Sequence, residues 1–170
     1  VSTPGRICLF GEHQDYLHLP VIAAAISLRI TVEVAERKDA LVYISLPDVN
    51  STESFSLEGN LSYTKPGDYF RSAVNVLRKA GFTLMTGADC VVRSTIPIRA
   101  GTSSSSALVV SWVNILAQLS EQHRHLHPDQ IARFAHEAEV VAFHEAGGMM
   151  DQYSTAYGGV LSIDFSPSMN

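Results

Sequence analysis

Cysteine is nearly absent from the sequence. Cys8 and Cys90 are the only two in 170 residues, and each sits inside an apolar run. That excludes a disulfide framework and reads as two reduced core thiols, which favours a cytoplasmic setting. Long hydrophobic runs are missing as well. No window reaches the roughly 18 apolar residues of a membrane span, and the first residues lack a charged-then-apolar leader, so no membrane partner is expected. Positive charge is scarce: 12 Lys and Arg stand against 17 Asp and Glu, a net charge of -5. With no basic excess to neutralise phosphates along a duplex, no nucleic-acid partner is expected. A compact anion held by backbone amides and one or two cations is still compatible with that balance. Two phosphate-binding signatures are also lacking, the Gly-Lys-Ser/Thr of a Walker A loop and any GxGxxG. There is no internal repeat, low-complexity tract or internal linker.

What is present is the composition of a globular chain, 46% apolar and 17% charged, with the length of one domain or of one large lobe. The first half reads mostly as strands at 6–11, 21–26, 28–36 and 41–46, separated by Pro20, "RKDA" and "PDVNST". A helix fits "DYFRSAVNVLRKAG", with Asp68 as N-cap, Phe70, Val74 and Leu77 on its apolar face, and Gly81 as its stop. A strand at 88–96 follows, ended by Pro97. A helix then runs to about Leu119, and another starts at Pro128 and extends through "VVAF", with Ile131, Phe134, Ala135 and Ala138 on one face. A short helix "MDQYSTAY" and a strand "GVLSIDF" close the chain. Strands first, then helices with interspersed strands, predict an α+β fold in which a mixed sheet is packed with helices.

Three polar clusters interrupt this plan. In "PGRICLFGEHQDY", Arg6 precedes an apolar strand, and Glu12, His13 and Asp15 follow it within four positions. Carboxylates and an imidazole at such a turn suit vicinal hydroxyls, as in a sugar, although a solvated turn gives the same string. In "PIRAGTSSSSALVVSW", Gly101 precedes small hydroxyl residues where a helix begins. The first turn of a helix has unpaired N–H groups and the positive end of the dipole, so it attracts an anion. Taken alone, the serines are equally an ordinary N-cap beside a linker. In "AEVVAFHEAGGMMDQYSTAYGG", Asp151 lies just past Gly147 and Gly148, either as an N-cap or as a base or electrostatic partner in a glycine-shaped pocket. Glu139, on the preceding helix, reads as an amphipathic-face glutamate. "HRHLH" (123–127) fits no structural zinc spacing.

Together and in this order, the three segments resemble the signatures of the GHMP kinase superfamily, most closely its galactokinase-like members. "PGRICLFGEHQDY" is similar to the Pro-Gly-Arg-(apolar)-Gly-Glu-His-x-Asp-Tyr signature. "PIRAGTSSSSA" resembles the Pro-x-x-x-Gly-x-Ser-Ser-Ser phosphate loop, and "AEVVAFHEAGGMMDQ" the Ala-Glu…Gly-(Ile/Met)-Met-Asp-Gln stretch. The resemblance covers most of the chain. It implies the N-terminal lobe of such a kinase over 1–170, a fold shared with a domain of a ribosomal small-subunit protein, with the C-terminal lobe absent from this chain. It implies ATP and Mg²⁺ as cofactors, a small-molecule sugar as substrate, and phosphoryl transfer to a hydroxyl, typically the anomeric one. Carried over by position, Asp151 accepts or orients the sugar hydroxyl proton and Arg6 stabilises charge beside it. Glu12, His13, Asp15 and Gly148 contact the sugar. Gly101, Thr102, Ser103, Ser104 and Ser105 line the triphosphate, and Ser104 and Glu139 hold the metal.

The chain departs from the pattern at several points. After Asp-Tyr it has "LHLPV" in place of a Gly-Gly-containing loop, a length nearer to the mevalonate kinase version; Arg6 and "MMDQ" favour a sugar over mevalonate. Thr102 replaces an apolar residue, and Arg99 and Ala100 replace glycines. The chain starts at Val1 without a methionine, and its ending, "DFSPSMN", reads as a linker entering a missing second half. The alternatives are a non-catalytic sugar or nucleotide sensor of the same fold, a mevalonate-kinase-like enzyme, and a structural domain without a ligand.

Overall fold

The computed structural model describes residues 1–98 and 100–166. Arg99 and the last four residues of the expected linker lie outside the described residues. Among those described, six strands form one mixed sheet in the order β1-β2-β5-β3-β4, with β6 against β2. The strands are β1 (Ser2–Phe10), β2 (Val21–Glu36), β3 (Leu41–Leu46), β4 (Ser51–Ser56), β5 (Ala88–Ser94) and β6 (Val160–Ile163), and the helices are α1 (Tyr69–Lys79), α2 (Ser104–Leu119), α3 (Pro128–Glu139) and α4 (Met150–Tyr157). Only β3 and β5 pair in parallel; the other pairings are antiparallel. The α+β expectation with a mixed sheet holds.

Four details correct the sequence reading. First, 21–26 and 28–36 are one continuous strand, β2, whose buried positions change parity from Val21 and Ala23 to Ile30 and Val32. The change is absorbed opposite β1, where Pro4 pairs with Arg29 but Arg6 already pairs with Ala25. A bulge of this kind bends a strand and re-aims its side chains. Second, β1 starts at Ser2, ahead of the expected Arg6. Third, "STESFS" forms the edge strand β4, in which Phe55 is the buried apolar residue. Fourth, α3 stops at Glu139; Val140 leaves the helix, and a 3-10 turn at Val141–Phe143 carries the chain towards the glycines.

The core lies between one face of the sheet and helices α1, α2 and α3. Val32, Ile44, Val92, Val74, Leu77, Trp112, Leu116 and Ala135 are all buried in it. Trp112 packs edge-on against Phe70 at 5.5 Å and donates its indole N–H to the Phe70 carbonyl at 3.0 Å. That contact satisfies the one polar group of a large buried aromatic and locks α2 to α1. The apolar face expected for α1 is the one it buries, and Asp68 stands at the expected N-cap position, fully buried, although its side chain makes no capping hydrogen bond. Its carboxylate accepts from Thr64 N and Oγ1, each at 2.9 Å, and from Arg71 at 3.0 Å. Of the two cysteines, Cys90 is buried, whereas Cys8 is only half-buried.

Two buried hydroxyl contacts fix the parts that build the site. Ser111 of α2 donates to Thr3 of β1 at 2.7 Å. Ser72 of α1 donates to the Ala138 carbonyl at 2.8 Å, one residue before Glu139. Helix α2, strand β1 and the end of α3 are thereby held at one end of the sheet.

Candidate functional site

β1 and the loop before α2 are stitched together along Gly5 and Arg6. The Arg6 backbone N–H donates to the Thr102 carbonyl at 3.2 Å, and its Nη1 donates to the Gly101 carbonyl at 2.8 Å. A side chain at position 5 has no room, because a Cβ there would stand 2.8 Å from the Thr102 oxygen. The Pro-Gly-Arg string is thus a seat for the serine loop. Gly101 has φ +68°, a conformation open to glycine at little cost.

The other side of the Arg6 guanidinium meets α4. Nε and Nη2 contact Asp151 Oδ1 at 2.8 and 2.6 Å. Arg6 is 6% exposed, whereas the Asp151 side chain keeps 30% exposure, so the guanidinium is withdrawn from water while the carboxylate it holds opens on the solvent side. Asp151 is the second residue of α4, where the helix dipole favours a carboxylate; it is not the N-cap, a position held by Met149. The cleft beneath this pair has a volume of about 230 Å³ and is lined by Arg6, Glu12, His13, Asp15, Ser105, Ser106, Glu139, Gly148, Asp151 and Gln152, among others. A larger groove of about 810 Å³ lies elsewhere, beside Val34, Leu119 and His123. It does not hold the Arg6–Asp151 pair or the buried Glu139, so the smaller cleft is the candidate site; Gly101, Thr102 and Ser103 do not line that cleft but are joined to it through Arg6.

Asp15 and Gly148 form one wall of the cleft. Asp15 is buried and accepts the Met150 backbone N–H at 3.0 Å, across 135 positions of sequence. A Cβ on Gly148 would lie within 2.8 Å of Asp15 Oδ1 and closer still to Oδ2, so only glycine lets the two chain segments meet. Glu12 and His13 line the same cleft with exposed side chains.

Glu139, expected on a solvated helix face, is instead 5% exposed. Its Oε2 accepts from Gln152 Nε2 at 2.8 Å. Burial pushes its carboxyl above the usual range, while the Gln152 amide and the nearby Ser105 and Ser106 hydroxyls oppose the rise. The serines that line the cleft with Glu139 are Ser105 and Ser106. Ser104, the first residue of α2, is half-buried and does not line the cleft. Ser103 is the N-cap position of α2, with φ +56°, and its side chain caps nothing. Its Oγ and the Thr102 Oγ1 are buried with no partner among the described residues.

These features suit a phosphate-bearing ligand with a hard cation. Buried hydroxyls without partners at the N-terminus of a 16-residue helix are what a phosphate would satisfy. A carboxylate beside serine oxygens is an oxygen-donor set of the kind Mg²⁺ takes. Among the described residues no three His, Cys, Asp or Glu side chains converge on a metal position, so a cation here would need ligand phosphate oxygens as well. Ser106, Gln152 and Gly5 are the contributors that sequence reasoning did not single out. All three lie inside the quoted motifs; for Ser106 and Gln152 the available signal was a polar residue at a buried helical position.

Residues 68–159 match the family described as GHMP kinases N terminal domain, and residues 1–36 match the galactokinase galactose-binding signature. A galactokinase of Roseiflexus sp. is 33% identical over 159 residues, covering 93% of this chain and 40% of that protein. A mevalonate kinase of Thermococcus sibiricus is 30% identical over 169 residues, 94% of this chain and 50% of that one. The crystal structure of Lactococcus lactis galactokinase complexed with galactose superimposes with a TM-score of 0.88 at 23% identity, over 98% of this chain and 44% of that one. The chain thus spans about half the length of these relatives, or less.

Proposed function

Because the chain belongs to the GHMP kinase family through that family's N-terminal domain, we propose that it is the lobe of an ATP-dependent kinase that phosphorylates a sugar, at the anomeric hydroxyl as in a galactokinase. One observation carries the reading: a single buried guanidinium, Arg6, grips the Asp151 carboxylate and the Gly101 carbonyl of the serine loop together. A proton-accepting group and a phosphate loop sharing one rigid clamp are what phosphoryl transfer to a hydroxyl needs, since that reaction relies on positioning and charge neutralisation.

In this reading Asp151 orients the attacking hydroxyl and takes its proton, and Arg6 fixes the carboxylate and stabilises its charge. Asp15, Glu12 and His13 hold the remaining sugar hydroxyls, and Gly148 keeps Asp15 in place. Gly101, Thr102, Ser103, Ser104 and Ser105 surround the triphosphate. Glu139, with the serine that faces it, holds the cation; the lining of the cleft, which includes Ser105 but not Ser104, favours Ser105 for that role. Mg-ATP, when bound, supplies the phosphoryl group and the positive charge that neutralises it. A second lobe, completing the nucleotide site, is part of the proposal. So is a cytoplasmic setting, in which the free Cys8 and Cys90 stay reduced; no helix among the described residues is long and apolar enough to cross a membrane.

A mevalonate-kinase-like specificity is the second reading, favoured by the short turn from Leu17 to Pro20. The test is full-length protein with ATP, Mg²⁺ and a panel of free sugars plus mevalonate, followed by ADP release. Consumption of ATP with a sugar is expected, and Asp151→Asn should lower kcat by about a thousandfold. A mutant as active as its parent would remove Asp151 from the mechanism. Turnover with mevalonate alone would overturn the sugar assignment, and binding without turnover would make the protein a sensor.

A further inference from the structure

Gln152 is a buried amide with one end satisfied and the other not. It is 2% exposed. Its Nε2 donates to Glu139 Oε2 at 2.8 Å, while its Oε1 is buried with no hydrogen-bond partner among the described residues. The orientation of the amide follows from chemistry, because turning it over would set a carbonyl oxygen against the carboxylate. A side chain kept for packing alone would be apolar here, since a buried acceptor without a donor lowers stability. The contact that accounts for an amide is therefore the one to Glu139.

The neighbours of Gln152 give that contact a purpose. Asp151 and Gln152 are consecutive in the first turn of α4. The first is held by Arg6 and the second holds Glu139, so one rigid turn sets the spacing between the two carboxylates of the cleft. The end of α3 is pinned from the other side by the Ser72 contact to the Ala138 carbonyl. With Oε2 held by the amide, Glu139 lines the cleft together with Ser105. Resting on the kinase reading of this cleft, we propose that Gln152 is a positioning residue: by holding one oxygen of Glu139 it aims the other at the divalent cation that accompanies the nucleotide.

The test is Mn²⁺ binding to full-length protein in the presence of a non-hydrolysable ATP analogue, read from the electron paramagnetic resonance signal of free Mn²⁺, alongside the Mg²⁺ dependence of turnover. Gln152→Met keeps the volume and removes both the unsatisfied oxygen and the donor to Glu139, two effects on stability of opposite sign. It should bind Mn²⁺ about tenfold more weakly and need correspondingly more Mg²⁺ for half-maximal rate, with the KM for the hydroxyl substrate unchanged. Gln152→Asn, whose amide falls short of Glu139, gives the same readout should the methionine variant misfold. Unchanged Mn²⁺ affinity in a folded variant overturns the proposal, as does a loss of rate that leaves the Mg²⁺ requirement where it was. A parent that binds Mn²⁺ and nucleotide but turns over no sugar defeats the sugar-kinase reading alone, and the Mn²⁺ comparison still judges Gln152. A parent that binds neither overturns both.

Discussion

Gly148→Ala is the sharpest probe of the sugar side of the cleft. The added methyl would stand within 2.8 Å of Asp15 Oδ1 and nearer to Oδ2 and Cγ, whereas real Cβ atoms almost never come within 3.0 Å of such atoms. Relief needs a displacement of about 1 Å, and a well-packed site does not absorb that by local give. The alternative is rotation of the carboxylate, which breaks the 3.0 Å hydrogen bond from Met150 N and leaves a buried charge poorly satisfied. The loss of that bond to a charged acceptor is worth about 2 kcal/mol of stability. A misplacement of about 1 Å in a substrate-positioning group costs up to about 100-fold in kcat/KM. The assay is steady-state kinetics of full-length Gly148→Ala with the best sugar, paired with urea unfolding. The KM for the sugar should carry most of the loss, with the KM for ATP within about twofold, because the serine loop is held by Arg6 and Gly5 rather than by Gly148. A variant with parental kcat/KM, or one whose defect falls on ATP, would refute the assignment of Asp15 and Gly148 to the sugar.

The other predictions address the serine loop and the buried carboxylate. Gly5→Ala pushes a methyl against the Thr102 carbonyl, a backbone atom that cannot rotate away; stability should fall by about 1–3 kcal/mol and the KM for ATP should rise while the KM for sugar holds. Ser103→Gly removes a left-handed non-glycine residue and a buried hydroxyl without a partner, so unfolding should show a gain of about 1 kcal/mol; nucleotide affinity should nevertheless drop, and an unchanged affinity would take the hydroxyl out of the phosphate site. Glu139→Gln tests burial. The folded carboxyl titrates above its unfolded value because of desolvation, so the parent loses stability as pH rises from the unfolded value through the folded one. In metal-free buffer the glutamine variant should therefore gain on the parent from pH 4 to pH 7, and a flat difference in thermal midpoint would contradict the burial.

Much of this arrangement was legible from local strings, and what was not has a common cause. The α1 face of Phe70, Val74 and Leu77, and the α3 face of Ile131, Ala135 and Ala138, follow from helical periodicity because each helix buries one stripe in the shared core. β4 escaped because an edge strand needs only one buried apolar side chain, Phe55, to hold its register, leaving a polar string that resembles a turn. The split of β2 into two strands was a misreading of a real signal: the parity change between Ala23 and Ile30 marks the bulge across from Gly5, the residue that admits the serine loop. The site itself joins residues that no local window contains. Arg6 meets Asp151 across 145 positions, and Asp15 meets Met150 across 135. Each motif string contained one half of such a contact, so the likeness of the strings to a family could name the residues, but only the packed sheet and helices could pair them. Glu139 shows the difference most clearly. At the end of an amphipathic helix it reads as a solvent-facing glutamate, and it becomes a buried one because α2 and α4 close over it with Ser105, Ser106 and Gln152. A carboxylate brought into that position at a cost in desolvation, and met there only by neutral donors, has its charge left over for a ligand cation.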